Sequence, residues 1–358
     1  MNRAQPGALL QDLRHADRRI QQVAAILRIV QPDIVLLNEF DFDATYAAAK
    51  VFRQQYLMND IDALPVLNLP YQFSAPVNTG VPSGFDLNRN GATTDAADAF
   101  GFGQFPGQYG MLLLSRFPIK TESVRTFRKL KWSATPDALQ PRDPSSGEEW
   151  YEPAVWQQLR LSSKSHWDVP VQIGEQHVHI LASHPTPPAF DGAEDRNGCR
   201  NHDEIRFWTD YISPERGDWI VDDFGRRGEL PGDADFVILG DLNSDPFDGG
   251  SRPAAIRNLL QHARIRSTPV PASDGGRQAS RLQEGQNTQH DGPPQQDTAD
   301  FKDRSVGNLR VDYVLPSVRF TVLKAGIFWP TPEQPEAEYL SASDHRLVWL
   351  DLHLPPKP

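Results

Sequence analysis

The chain has 358 residues, 39% of them hydrophobic, and 31 prolines, so it can bury a sizeable core while carrying long loops. No stretch approaches the ~20 consecutive apolar residues that a membrane-spanning helix needs, and mean hydropathy is −0.53. Acidic residues number 47 against 36 basic ones, a net charge of −11, and there is no Lys/Arg run, which argues against a protein that grips nucleic acid through its phosphates. The one cysteine, Cys199, excludes an intrachain disulfide. The first residues, Met1 to Pro6, lack the charged-then-apolar pattern of a secretion signal.

Ile20, Val23, Ala24 and Leu27 fall on one helical stripe that Pro32 stops. Ile34-Val35-Leu36-Leu37 is a short apolar run between punctuating residues, a buried strand that delivers Asn38-Glu39 at its end. Residues from about 60 to 105 are rich in Pro, Gly, Asn and Asp and read as long loops. Met111-Leu112-Leu113-Leu114 predicts a strand, closed by Ser115-Arg116-Phe117-Pro118, and 135–152 reads as loop. Val178 to Ala182 predicts a strand ending at Ser183-His184-Pro185, and Glu204 to Ile212 carries helical spacing. Phe236-Val237-Ile238-Leu239-Gly240 is an apolar run that stops on Asp241-Leu242-Asn243. Residues from about 269 to 303 form the longest structureless stretch by composition. Leu309 to Leu315 and Leu347 to Leu352 are the last predicted strands. Without repeats or a clear linker, strands scattered among helices suggest one α/β sandwich spanning 1–358, with loop insertions near 60–105 and 269–303.

Five of these strand ends carry chemistry: Glu39, His184, Asp241 with Asn243, Asp312, and Asp344 with His345. Taken singly each has an ordinary reading, as a helix cap, an Asx turn or a surface imidazole. Their shared position at strand ends favours one site. Carboxylate oxygens suit a hard divalent cation such as Mg²⁺ or Mn²⁺, which fits Glu39. A second carboxylate, Asp241, can orient or deprotonate water. Asn243 can hold a phosphate oxygen without competing for the metal. Imidazoles at His184 and His345 can donate to a phosphoryl oxygen as charge develops, and a nearby acid can fix a histidine tautomer. These are the groups of a metal-assisted phosphoester hydrolase.

The segments Gln31 to Glu39, Gly110 to Arg116, Gly240-Asp241-Leu242-Asn243-Ser244-Asp245-Pro246, Arg310-Val311-Asp312-Tyr313-Val314 and Ser343-Asp344-His345 together resemble the endonuclease/exonuclease/phosphatase superfamily, in that family's order and nearly end to end. The resemblance implies a four-layer α/β/β/α sandwich of two mixed β-sheets flanked by helices, with a Mg²⁺-centred site across the sheet ends. It implies Glu39 and Asp344 as metal-side residues and His184, Asp241, Asn243, Asp312 and His345 as catalytic ones, Asp312 orienting His345. Tyr109 and Arg116, flanking the Met111 strand, are expected to bind substrate, with Arg196, Arg200 and Arg206 as further cations near the site. The family also opens with a strand ending in a metal-side asparagine. Asn2 has no preceding strand here and is not assigned that role; either the expressed chain starts late or the recorded start is wrong, which would leave a ladder unpaired.

Asp86-Leu87-Asn88-Arg89-Asn90-Gly91 matches the opening half of a calcium loop, but Ala97 stands where the closing glutamate belongs, and Asp95 and Asp98 are the substitutes at hand. An Asn/Asp/Gly-rich turn explains the same residues. An acidic chain with a Ca²⁺ loop would suit an extracellular or periplasmic setting. The expected substrate is a small or exposed phosphate ester handled by a monomer, with no stable nucleic-acid complex; a secreted nuclease, or a catalytically impaired binding module on the same scaffold, are the alternatives. Trp132, Trp150, Tyr151, Trp156 and Trp167 read as core aromatics before they read as a base-stacking or lipid-facing rim.

Overall fold

A computed structural model describes residues 1–59 and 63–356. Two short helices open the chain, α1 (Ala8–Arg14) and α2 (Arg18–Val30). Asp17 caps α2 through its carboxylate on the Ile20 N–H, and Gln31 ends it in the left-handed conformation just before Pro32. The apolar runs then become β1 (Ile34–Asn38), β2 (Tyr71–Phe73) and β3 (Met111–Ser115), with α3 (Ala47–Val51) between the first two. β3 is central, antiparallel to both neighbours, with Ile34 opposite Ser115 and Asn38 opposite Met111.

The second sheet is built from β4 (Arg125–Thr126), β5 (His166–Ile173), β6 (Gln176–Ser183) and β7 (Asp235–Asp241), completed by a strand from further along the chain. Helix α4 (Pro153–Trp156) precedes β5, and α5 (Arg196–Tyr211) makes the crossover that parallel β6 and β7 require. Beyond β7 come α6 (Ala254–Leu260), α7 (Asp274–Gln283), β8 (Ala299–Asp300), β9 (Asn308–Leu309), β10 (Asp312–Pro316), β11 (Thr321–Ile327) and β12 (Val348–His353). β10 joins β7 at the edge of the five-stranded sheet, while β11 and β12 form their own antiparallel pair.

Side-chain alternation explains the layering. In β3, Met111 and Leu113 face Val169, Ile180 and Val237 of the other sheet, while Leu112 and Leu114 face the helical layer with Ile20, Leu27 and Phe52. In β7, Phe236 and Ile238 turn outward onto Phe207, Trp208 and Ile256 of α5 and α6. Helices, sheet, sheet and helices therefore stack in that order, as the sequence suggested. Trp132, Tyr151, Trp156 and Trp167 are all buried in these cores.

Three expectations need correction. The 269–303 stretch contains α7, two 3₁₀ turns and β8. Within the run that composition reads as structureless, Ser273 caps a helix through the Gly276 N–H. Gly275 is required for packing, because a Cβ on it would lie 2.0 Å from the Trp329 carbonyl oxygen. The run Leu309 to Leu315 is two strands, since the N–H groups of Arg310 and Val311 bond the Asp245 carboxylate and the Thr298 hydroxyl instead of a ladder. In the 60–105 region β2 and a 3₁₀ turn at Ala96–Asp98 interrupt the loops, and residues 60–62 lie outside the described residues.

Candidate active site

Register builds the site. Asp241, the last residue of β7, pairs with Asp312, the first of β10, so two carboxylates stand directly opposite on adjacent strands. Like charges so placed repel unless a cation intervenes. His345 is that group: its Nδ1–H donates to Asp312 Oδ2 at 2.9 Å, and its Nε2 lies 3.7 Å from Asp241 Oδ2. Thr298 fixes the acid by donating to the same Asp312 oxygen at 2.9 Å. One ligand atom from each of Asp241, Asp312 and His345 lies within 4.8 Å of the others.

His184 follows β6, and Ala182 opposite Leu239 brings it level with Asp241. Its Nε2 is 3.4 Å from Asp241 Oδ2. This approach needs Gly240, because a Cβ there would sit 2.1 Å from the Ser183 carbonyl oxygen. Asp241 Oδ1 accepts the Asn243 N–H at 2.8 Å, and Asn243, at φ +51°, donates its side-chain amide to the Pro185 carbonyl at 3.1 Å. The amide keeps a second N–H for a ligand. Helix α5 clamps the loops from behind. Asn201 donates to the carbonyls of Thr186 and Leu242, and Glu204 accepts the N–H groups of Ser163 and Thr186, each at 2.6 Å.

Glu39 leaves β1 in the left-handed region, φ +58°, which aims its carboxylate across the strand end. Asn2 donates to Glu39 Oε2 at 2.6 Å. Asp41 ties this corner together by accepting the N–H groups of Arg3 at 2.8 Å and Tyr109 at 3.0 Å. Burial, with Glu39 adjacent, raises the Tyr109 phenol above its usual range.

Burial also raises the Asp241 carboxyl, to about 7, with Asp312 adding to the rise and His345 opposing it. For His345, burial favours the neutral ring, but the Asp312 and Asp241 carboxylates outweigh it and push the imidazole up to about 10. His184 is held well below its ordinary value by burial, with Lys164 and His345 adding positive charge, so it is neutral at pH 7. Lys164, only 6% exposed, loses stability as a cation through burial, while Glu204, Glu39 and Asp241 favour its charge.

The geometry thus brings Glu39, His184, Asp241, Asn243, Asp312 and His345 to one sheet edge, with Tyr109 beside Glu39. Arg116 is not there. Register places Ser115 opposite Ile34, so Arg116 lies at the far end of β1, paired with Asp33 at the surface. Asp344 is exposed; its backbone carbonyl accepts the Asp300 N–H, and its carboxylate acts on the Met1 amine. Arg196 is bound to Glu194, Arg206 faces Asp210, and buried Arg200 donates to the carbonyls of Leu161, Phe100 and Arg160. These arginines hold the fold. Sequence reasoning missed Lys164, whose only signal is a lysine inside the small-residue lead-in to β5, and set aside Asn2, whose partner lies 37 residues on.

The endonuclease/exonuclease/phosphatase family profile matches residues 9–345. The chain belongs to this family. Its members are hydrolases of phosphoester bonds. A solved endonuclease/exonuclease/phosphatase protein from Beutenbergia cavernae is 18% identical over 94% of the chain, with a TM-score of 0.52, and the chain spans 66% of that protein's length. A family protein from Leptotrichia buccalis is 13% identical with a TM-score of 0.48, covering 94% of this chain and 93% of that one. Sphingomyelinase C from Streptomyces griseocarneus is 16% identical with a TM-score of 0.42, covering 95% and 88%. No curated protein sequence matches the chain. The Beutenbergia structure supports the layered fold; it does not identify a substrate. Among the described residues, no helix is long and apolar enough to cross a membrane.

Proposed function

We propose that the protein is a divalent-metal-dependent phosphodiesterase acting on a small or exposed phosphate ester, its whole length forming one catalytic unit that works as a monomer. The observation that carries this reading is the convergence of Asp241, Asp312 and His345 with His184 at one sheet edge. The donor set fits Mg²⁺ or Mn²⁺: Glu39 offers hard carboxylate oxygen, Asn2 leaves its amide oxygen free for a ligand, and Asp344 adds negative charge from the rim. Asn38 Oδ1 and His184 Nδ1 are buried nearby without a protein partner. When bound, the cation would withdraw charge from the phosphoryl oxygens.

The chain's own groups divide the remaining work. Asp241 takes the proton of the attacking water, and a cation nearby would draw its raised pKa down into the ionised range. His345, charged and steered by Asp312, donates through Nε2 to a phosphoryl oxygen. Asn243 holds another oxygen with its spare N–H. Neutral His184 lines the phosphate side, and Lys164 supplies buried positive charge beneath it.

Substrate size follows from the arginines. Duplex DNA is normally held by several Lys or Arg contacts, each adding to a steep salt dependence. The arginines expected near the site, Arg116, Arg196, Arg200 and Arg206, are bound to protein acids and carbonyls. With Mg²⁺ present, a small aryl phosphodiester is therefore expected to be turned over better than plasmid DNA at every salt concentration tested. Efficient plasmid nicking at enzyme levels that leave the small diester untouched would promote the nuclease reading.

The 86–98 loop is the second proposed cation site. The Asp86 carboxylate accepts the N–H groups of Asn90 and Gly91 at 3.0 and 2.8 Å, while the Asn88 and Asn90 amides turn to Asp95 Oδ2 at 3.3 and 2.6 Å. Asp98 is not available, being spent on the backbone of Leu87 and Asp95. Calcium should raise the melting temperature of demetallated protein in a concentration-dependent way, and Asp86→Ala should abolish the rise. An unchanged wild-type melt in calcium makes the loop a turn only. Calcium binding there would also fit the proposed extracellular or periplasmic setting.

A further inference from the structure

The chain carries a net charge of −11, yet three of its cations gather in one place. Lys131 and Arg160 stand directly opposite in an antiparallel bridge, so their side chains leave on the same side. Backbone bonds hold that register, from the Trp132 N–H to Leu159 at 3.0 Å and from the Leu161 N–H to Leu130 at 2.9 Å. Like charges so paired repel. Burial lowers the Arg160 guanidinium, and Arg128 lowers it further, so a third cation stands beside the pair. Asp223 opposes this, but its carboxylate is turned to the Thr126 hydroxyl at 2.7 Å and to the N–H groups of Arg128 and Lys129 at 3.2 and 2.7 Å.

The cluster is held in shape by neutral groups. Asn78, fully buried, accepts Arg160 Nη1 at 2.6 Å and donates to the carbonyls of Arg128 and Ser162, each at 2.7 Å. The Arg160 guanidinium lies over the Phe100 ring, 4.1 Å from its centre. Lys131 Nζ donates to the Gln158 backbone and side-chain oxygens at 3.0 and 3.2 Å. The Arg128 guanidinium has no hydrogen bond or ion pair among the described residues. Each cation therefore keeps N–H groups for a ligand.

The cluster also lies at the catalytic end of its sheet. β5 begins with His166 opposite Ser183, the last residue of β6, and His184 follows there. Phe127, next after β4, donates its N–H to the His166 carbonyl, so Arg128 leaves from the same end. Asn78 completes the link, because its N–H donates to the carbonyl of Lys164, the buried charge beneath His184, at 3.0 Å. Cations converging on one point suit a compact oxyanion better than the row of phosphates along a polymer, and guanidinium forks match phosphate oxygens. We infer that Arg128, Lys131 and Arg160 bind a second phosphate group carried by the substrate, which makes the preferred ester a small phosphodiester with a terminal phosphate on one arm. The inference rests on the phosphodiesterase reading above.

The test gives the full-length protein two aryl phosphodiesters. They are identical except that the alkyl arm, made in several lengths, ends in a phosphate or in a hydroxyl. Binding is measured by calorimetry in chelator, and turnover is then measured with Mg²⁺. At the best arm length the wild type should bind the phosphate-ended diester about tenfold more tightly, the scale of one charged hydrogen bond. The same preference should appear in kcat/KM, carried by KM. Net charge alone predicts the opposite order. Arg128→Gln/Lys131→Gln, which leaves Arg160 its contacts with Asn78 and Phe100, should bring both ratios to about one while the melting temperature stays near wild type. Equal binding of the two diesters by the wild type overturns the inference, as does a preference that survives in the double variant. Inorganic phosphate is titrated in parallel. If it binds the wild type and not the double variant while the two diesters are treated alike, the cluster takes free phosphate and the inference is again overturned. If neither diester is turned over but the binding preference appears and is lost in the double variant, the reaction reading fails and the second-phosphate site stands.

Discussion

Changing His345 to Ala should lower turnover of a small phosphodiester by about 10²–10³-fold, the scale of losing one preorganised donor at a developing charge. Adding Asp241→Asn should deepen that loss only slightly. The reason is structural. His345 Nε2 lies 3.7 Å from Asp241 Oδ2, and its Nδ1 is fixed by Asp312 at 2.9 Å, so the three groups share one charge distribution. Removing His345 leaves the facing carboxylates of Asp241 and Asp312 with no cation between them, and Asp241 becomes harder to ionise. Groups that act as a unit are strongly non-additive. Asp312→Asn, which keeps shape but loses the charge that orients the ring, should fall between wild type and His345→Ala. Melting curves and initial rates of the two single variants and the double one are sufficient. Losses that multiply fully would mean that the residues serve separate steps.

Much of this arrangement was legible because strands announce themselves locally. Ile34 to Leu37, Met111 to Leu114 and Phe236 to Gly240 are apolar runs with punctuation, and the chemistry hangs on their ends. What the sequence could not supply is register. Arg116 follows an apolar run just as Glu39 does, yet antiparallel pairing sends one to the surface beside Asp33 and the other to the site. Glycine misled in one place and was silent in another. Gly275 and Gly276 lie in the stretch read as structureless but open α7, and Gly240, read only as the end of an apolar run, permits the contact of β7 with Ser183. Lys164, Glu204 and Asn201 carry no motif. Their roles arise from α5 packing across the backs of two loops, a long-range contact that local pattern does not encode.

Glu39→Gln should keep the fold and lower the rate by about 10²-fold or more. Glutamine retains an oxygen that can accept the Asn2 amide, which now donates to Glu39 Oε2 at 2.6 Å, and it can follow β1 with the same backbone. It loses the negative charge, and that charge is the property a hard divalent cation requires. Two measurements separate a metal role from a merely structural one. Calorimetric Mg²⁺ or Mn²⁺ binding should weaken in Glu39→Gln while the melting temperature without metal stays near wild type, and added metal should recover part of the lost rate. Asn2→Ala, which leaves the carboxylate in place but unsteered, should weaken metal binding less. If chelator leaves wild-type turnover intact, or if Glu39→Gln turns over normally, the acid at the end of β1 is a structural partner of Asn2, and the chemistry belongs to Asp241, His345 and Lys164 without a metal.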